Sequence, residues 1–151
     1  MKTADALAEV RRHQSLIRDE IVLATRLADQ DPGSWSDTLA QSRWRMFRLL
    51  RAYQLFKHNE IYDPTSQATD PDRVAQARSL KISCIATGER YQEYVGQWPA
   101  DAMIRDAQGY RRALKEQATG LERQMAEELR LVELLLANVL RTRAARPAAA
   151  P

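Results

Sequence analysis

Glycine and proline are scarce in this chain, and their spacing leaves room for little except long helices. Only 5 Gly and 6 Pro occur in 151 residues, and Pro147 and Pro151 lie at the C-terminal end. Proline removes a helical hydrogen bond and glycine costs about 1 kcal/mol inside a helix, so long runs free of both favour helix. Four such runs carry apolar residues at three- and four-residue steps, the period of a helix buried along one side.

The first runs from about Ala4 to Asp29, with Val10, Ile17, Ile21, Ala24 and Leu27 on one stripe, and DQDPG ends it. The second runs from about Ser36 to Tyr62. Ser36 is its expected cap, and Leu39, Met46, Phe47, Leu50, Tyr53 and Ile61 are its expected core positions. DPTSQATDP then reads as a loop, and Asp70 followed by Pro71 marks the next helix start. The third helix runs to about Trp98, with Val74, Ala77, Cys84, Tyr91 and Val95 inward and Gly88 on the same stripe, where it would admit a close neighbour. Pro99 interrupts. The last segment runs to about Arg143 and carries Leu114, Ala118, Leu121, Met125, Val132 and Leu135. A break is expected near Gly109, with the main helix beginning around Tyr110. Residues 144–151, rich in Ala and Pro, are expected to be a disordered tail. No alternating run rich in Val, Ile and Thr competes. The predicted fold is all-α, an up-down-up-down four-helix bundle in a single domain over residues 1–143.

Charge and motif content exclude several functions. The net charge of +3 is mild, and acids and bases interleave, so no strong field for nucleic acid or membrane is implied. Cys84 is the only cysteine, which rules out an intramolecular disulfide and fits a cytoplasmic protein. The N-terminus has no apolar run of signal-peptide type, and LVELLLANVL, from Leu131, is too short to span a bilayer and contains Glu133. There is no glycine-rich phosphate loop, Cys-x-x-Cys, His-Glu-x-x-His or nucleophile elbow, so no enzyme activity is expected.

Two surface features suggest partners. Arg43, Arg45, Arg48 and Arg51 surround Trp44 in SRWRMFRLLR, a combination that can bind single-stranded nucleic acid. They fan over a wide arc of the helix, however, which fits a solvated face with local ion pairs better; a basic nucleic-acid binder is kept as an alternative. The window Leu131–Leu140 holds Leu131, Leu134, Leu135, Leu136 and Leu140, more leucine than one helix face buries, and is the expected surface for a homodimer or a protein partner.

Polar residues also fall at core spacing. His13 lies between Val10 and Ile17. Gln54 and His58 follow Phe47 and Leu50, Lys81 and Cys84 follow Ala77, and Gln124 and Glu128 flank Met125. Every long segment thus contributes to one polar layer, and both histidines of the chain belong to it. Buried polar groups need partners, and an ionised carboxylate does not stay buried alone.

The order of these residues resembles the hemerythrin-like (HHE cation-binding) family. The resemblance implies a four-helix bundle with a di-iron centre, held by a histidine on helix one, His-x-x-x-Glu on helix two, a histidine on helix three and His-x-x-x-Glu or Asp on helix four. His13 matches the first position. NEIYDP is similar to the end of the family's helix two, which puts His58 at its glutamate and Gln54 at its histidine. ERQMAEELRLVELL is similar to helix four, with Gln124 at the histidine and Glu128 at the carboxylate. Helix three offers no histidine, so the ligand set is depleted. Two uses of the layer stay open. His13, His58 and Glu128 could hold one Fe or Zn, with Gln54, Lys81, Cys84 and Gln124 around them. Alternatively the layer is satisfied internally, with Lys81 opposite Glu128, and the protein is a regulatory or interaction module. The second is the expectation carried forward, with a metal-binding sensor or redox protein as the alternative.

Overall fold

In a computed structural model of the chain, residues 2–145 are described, with side chains as far as Ala137. Four long helices dominate: α1 (Thr3–Ala28), α2 (Trp35–Lys57), α4 (Pro71–Gln97) and α6 (Ala107–Ala145). Two short ones, α3 (Asp63–Ser66) and α5 (Ala100–Arg105), sit in the connections. No strand occurs among the described residues. α1 lies against α2 and α6, and α4 lies against α6 and, over fewer residues, α2. The core between them is aromatic at one end, where Trp35, Tyr110 and Trp98 meet, and polar at the other.

The breakers act close to where the sequence places them, with instructive shifts. The α1–α2 corner forms a single 3₁₀ turn at Pro32–Ser34, and α2 starts at Trp35, not after a Ser36 cap. The Ser34 hydroxyl donates back to the Asp31 carbonyl at 2.7 Å, so no serine side chain caps the helix. Trp35 is completely buried, and its indole N–H donates to the Leu27 carbonyl at 3.0 Å. Arg111 closes the same corner by donating to the carbonyls of Ala28 and Gln30, orphan acceptors at and just beyond the end of α1.

The break before the last helix falls at Asp106 rather than at Gly109. The Asp106 carboxylate accepts the Gly109 N–H at 3.0 Å, an N-cap contact. Gly109 contributes by absence, since a Cβ there would collide with the capping carboxylate. Gly88, by contrast, marks no tight approach: a Cβ there would meet only Gln54 Oε1, at 3.9 Å. α6 continues to Ala145, two residues past the expected end, and the rest of the tail, 146–151, lies outside the described residues.

The largest departure is in LFKHNEIYDP. DPTS is not loop: the chain leaves α2 through a π turn at His58–Tyr62 and continues directly into α3. The Asp63 N–H bonds to the His58 carbonyl, five residues back. Pro64 supplies the reason. In an uninterrupted α-helix its ring would press on the Glu60 carbonyl, and its missing N–H would break the ladder. The wider turn restarts the helix with Pro64 in a first turn, where no N–H is required.

Candidate functional site, a buried polar layer

The π turn also sets the chemistry of the core. In an unbroken α-helix Tyr62 would point about 140° away from Lys57. The extra residue in the turn rotates Tyr62 back toward Lys57, and both reach one acceptor, Glu128 of α6. Glu128 and Lys57 are only 3% and 4% exposed. Lys57 Nζ donates to Glu128 Oε2 at 2.7 Å, the Tyr62 hydroxyl donates to the same oxygen at 3.1 Å, and the Tyr53 hydroxyl donates to Oε1 at 2.7 Å. Gln14, fully buried on α1, donates to the Tyr53 hydroxyl and to the Met125 carbonyl. The Lys57 ammonium also lies 3.7 Å from the centre of the Tyr53 ring, so cation–π attraction adds to the ion pair.

Both oxygens of the carboxylate therefore face protein donors, one of them a full positive charge. Burial and the adjacent carboxylate push the ionisation of Tyr53 and Tyr62 far above the ordinary phenol range, so both hydroxyls stay donors. Cys84 sits beside Lys57, and burial raises its thiol above the usual value even though the ammonium opposes that. It is a poor nucleophile in this setting.

The residues singled out in the sequence are distributed as follows. His13 is buried and stacked between Tyr53 and Phe56, with Nε2 3.9 Å from the half-exposed Glu9. His58 is half-buried beside Tyr62, and its Nε2 has no hydrogen-bond partner. Gln124 donates to Ser83 on α4, and Gln54 lines a small cavity of about 90 Å³ between α2, α4 and α6, whose wall includes Lys57 and Glu128. Lys81 does not meet Glu128. It pairs with Asp63 at 2.7 Å on the half-exposed side of α4, while Lys57 takes the place expected for it. Among the described residues no group of three or more His, Cys, Asp and Glu side chains is arranged to hold a metal ion.

The difference on α2 is a rotation by one residue. Leu39, Met46, Tyr53 and Ile61 are buried as expected, but the face through Phe47, Leu50, Gln54 and His58, expected to carry the polar layer inward, is not the buried one: Lys57 is buried in line with Met46 and Tyr53, and Phe47 is 39% exposed. Lys57 could have been found, since it lies one turn past Tyr53, but a lysine is ordinarily assigned to solvent. Glu20 was also missed. It is buried on α1 and accepts from Ser42 and Arg45 of α2. Arg45 is thus engaged internally, and Arg43 lies over the rings of Tyr94 and Tyr110, so half of the SRWRMFRLLR arginines turn toward the protein. In the Leu131–Leu140 window Leu135 and Leu136 are buried and only Leu134 is exposed among the described side chains; Leu140 lies outside them. No helix among the described residues is long and apolar enough to cross a membrane.

The two histidines make a pH prediction. Burial is the leading cause lowering both below the ordinary value of 6.5, helped at His13 by Arg12 and at His58 by Lys81 and Lys57. A histidine with a depressed folded-state pKa binds its proton more readily when unfolded. Stability is then fully present above about pH 6.5 and declines as pH falls from there toward the folded-state values. Thermal unfolding from pH 7 to pH 5 is expected to show a falling midpoint, and a His13→Gln/His58→Gln variant a flatter one. Parallel curves would rule the histidines out as the cause.

No protein-family model matches the chain, and no curated protein or solved structure matches it either.

Proposed function

We propose that this chain is a non-catalytic helical module, a regulatory or interaction protein with a hemerythrin-like, up-down-up-down four-helix bundle and an internal ion pair where that family holds metal. The observation that carries the reading is the Lys57 ammonium at 2.7 Å from Glu128, with Tyr53 and Tyr62 donating to the same carboxylate. A divalent ion at Glu128 would have to displace a buried cation already bonded to it, and the neighbouring groups are phenols, amides and the Cys84 thiol, which burial holds in its protonated form. The bundle reading is supported by the closed ring of helix neighbours, α1–α2–α4–α6 and back to α1. A cytoplasmic setting belongs to the same reading, supported by the single, buried cysteine. Leu134 is the described leucine through which a second copy or a protein partner would be met.

The test is anaerobic reconstitution with Fe(II), and separately with Zn(II), followed by desalting and elemental analysis. The expected result is no stoichiometric metal. One ion per chain, lost in both His13→Ala and His58→Ala, would replace this reading with a mononuclear metal protein.

A further inference from the structure

We propose that the cleft between α2, α4 and α5 binds a small amphipathic monocarboxylate, of the medium-chain fatty acid type, with Arg43 as its anion partner. The cleft encloses about 440 Å³, within the range of small-molecule sites. Its walls are Trp35, Trp44, Phe47, Val95, Met103 and Ile104, almost wholly apolar. Three of these are large side chains left in solvent: Trp44 is 59% exposed, Ile104 52% and Phe47 39%. The Trp44 and Phe47 rings stack at 5.6 Å, so the mouth of the cleft is a flat aromatic lip rather than a scatter of isolated side chains.

Arg43 is the one charged residue in the wall. Its guanidinium lies 5.5 Å from the centre of the Tyr110 ring and 5.8 Å from that of Tyr94; its Nε and Nη2 atoms are enclosed with no hydrogen-bond partner, which leaves Nη1 as the nitrogen that a ligand in the cleft can meet. Arg45, two residues on, is paired with Glu20, whereas no ion pair to Arg43 occurs among the described residues. A partly desolvated cation without a counter-charge is an incomplete arrangement. One guanidinium with a single open nitrogen matches one carboxylate in charge, whereas a phosphate group would call for further donors. An apolar wall combined with a single cation therefore selects a single acid group on a hydrocarbon body. The cleft shares Phe47, Tyr91 and Gln92 with the small cavity lined by Lys57 and Glu128, but Arg43 lies about 20 Å from Lys57 along α2, so its charge is separate from that ion pair.

The experiment titrates the full chain with decanoate, below its micelle concentration, and with decanol, following tryptophan fluorescence and calorimetry. Saturable one-site binding is expected, with decanoate at least tenfold tighter than decanol and roughly fourfold tightening for each added methylene until the cleft is filled. Arg43→Gln should bring decanoate down to the level of decanol. Ile104→Glu, an exposed rim change that leaves the core intact, should weaken decanoate and spare decanol, which keeps the test decisive if Arg43→Gln fails to fold. Absence of saturable binding, equal affinity for acid and alcohol, or indifference of decanoate to Ile104→Glu would overturn the proposal. So would self-association, seen by sedimentation, that buries Trp44 and excludes decanoate.

Discussion

Replacing Lys57 with Met is expected to destabilise the protein by about 3–5 kcal/mol, the cost of leaving a buried charge without its partner. Glu128 would keep two phenol donors but lose the only full positive charge that meets it among the described residues. Folded domains of this size have only about 5–15 kcal/mol in hand, so the loss should be plain in urea unfolding. Lys57→Met/Glu128→Leu should recover most of it, because an apolar pair of similar volume needs no compensation in a buried site. Lys81→Met is the internal control. Its pairing with Asp63 is half-exposed, worth about 0–1 kcal/mol, and should leave the midpoint nearly unchanged. A Lys57 variant that costs no more than the Lys81 variant would mean that water reaches Glu128 and that the pair is not what holds α2 to α6.

Trp35→Ala should cost about as much, roughly 3–5 kcal/mol, for a different reason. Trp35 is the largest of the fully buried side chains, and the corner between α1 and α2 is assembled around it. It meets Tyr110 edge-on at 5.5 Å, carries the Arg111 guanidinium over its ring at 5.1 Å, and satisfies the Leu27 carbonyl. Trp35→Phe separates packing from hydrogen bonding: most of the apolar contact stays, the carbonyl loses its donor, and a smaller loss of about 1–2 kcal/mol is expected. Chemical unfolding of the two variants distinguishes them. Equal costs would assign the whole effect to the hydrogen bond, and a negligible cost for the alanine variant would show that the corner closes without the indole.

The helices were legible because their signals are local. The breakers at Pro32, Gly33, Pro71 and Pro99 act through their own backbones, and the apolar steps along α1 and α6 need no knowledge of neighbours. His13 and Glu128 are buried where their spacing put them, since each sits between strongly apolar residues a turn away on either side. The segment around Pro64 was misread as loop for an equally local reason. Proline signals a break, but whether the chain turns away or widens into a π turn depends on what the next residues can pack against. Ile61, Tyr62 and Thr65 all find the core.

α2 shows where local signals stop. Met46 and Phe47, Tyr53 and Gln54, and Lys57 and His58 are adjacent pairs, and a helix rotated by one residue, about 100°, buries one member of each or the other. Both stripes carry a comparable load of apolar and polar residues, so the period alone does not choose between them. The choice follows from what stands opposite: Gln14 on α1 and Glu128 on α6 offer an acceptor and donor set that Tyr53, Lys57 and a π-rotated Tyr62 complete. The sequence by itself determined that the chain is helical, where most helices start and stop, and that an acid lies in the core. Which cation neutralises that acid was decided only by tertiary packing, because charge pairing in a low-dielectric core depends on distances across helices that no spacing along one helix encodes.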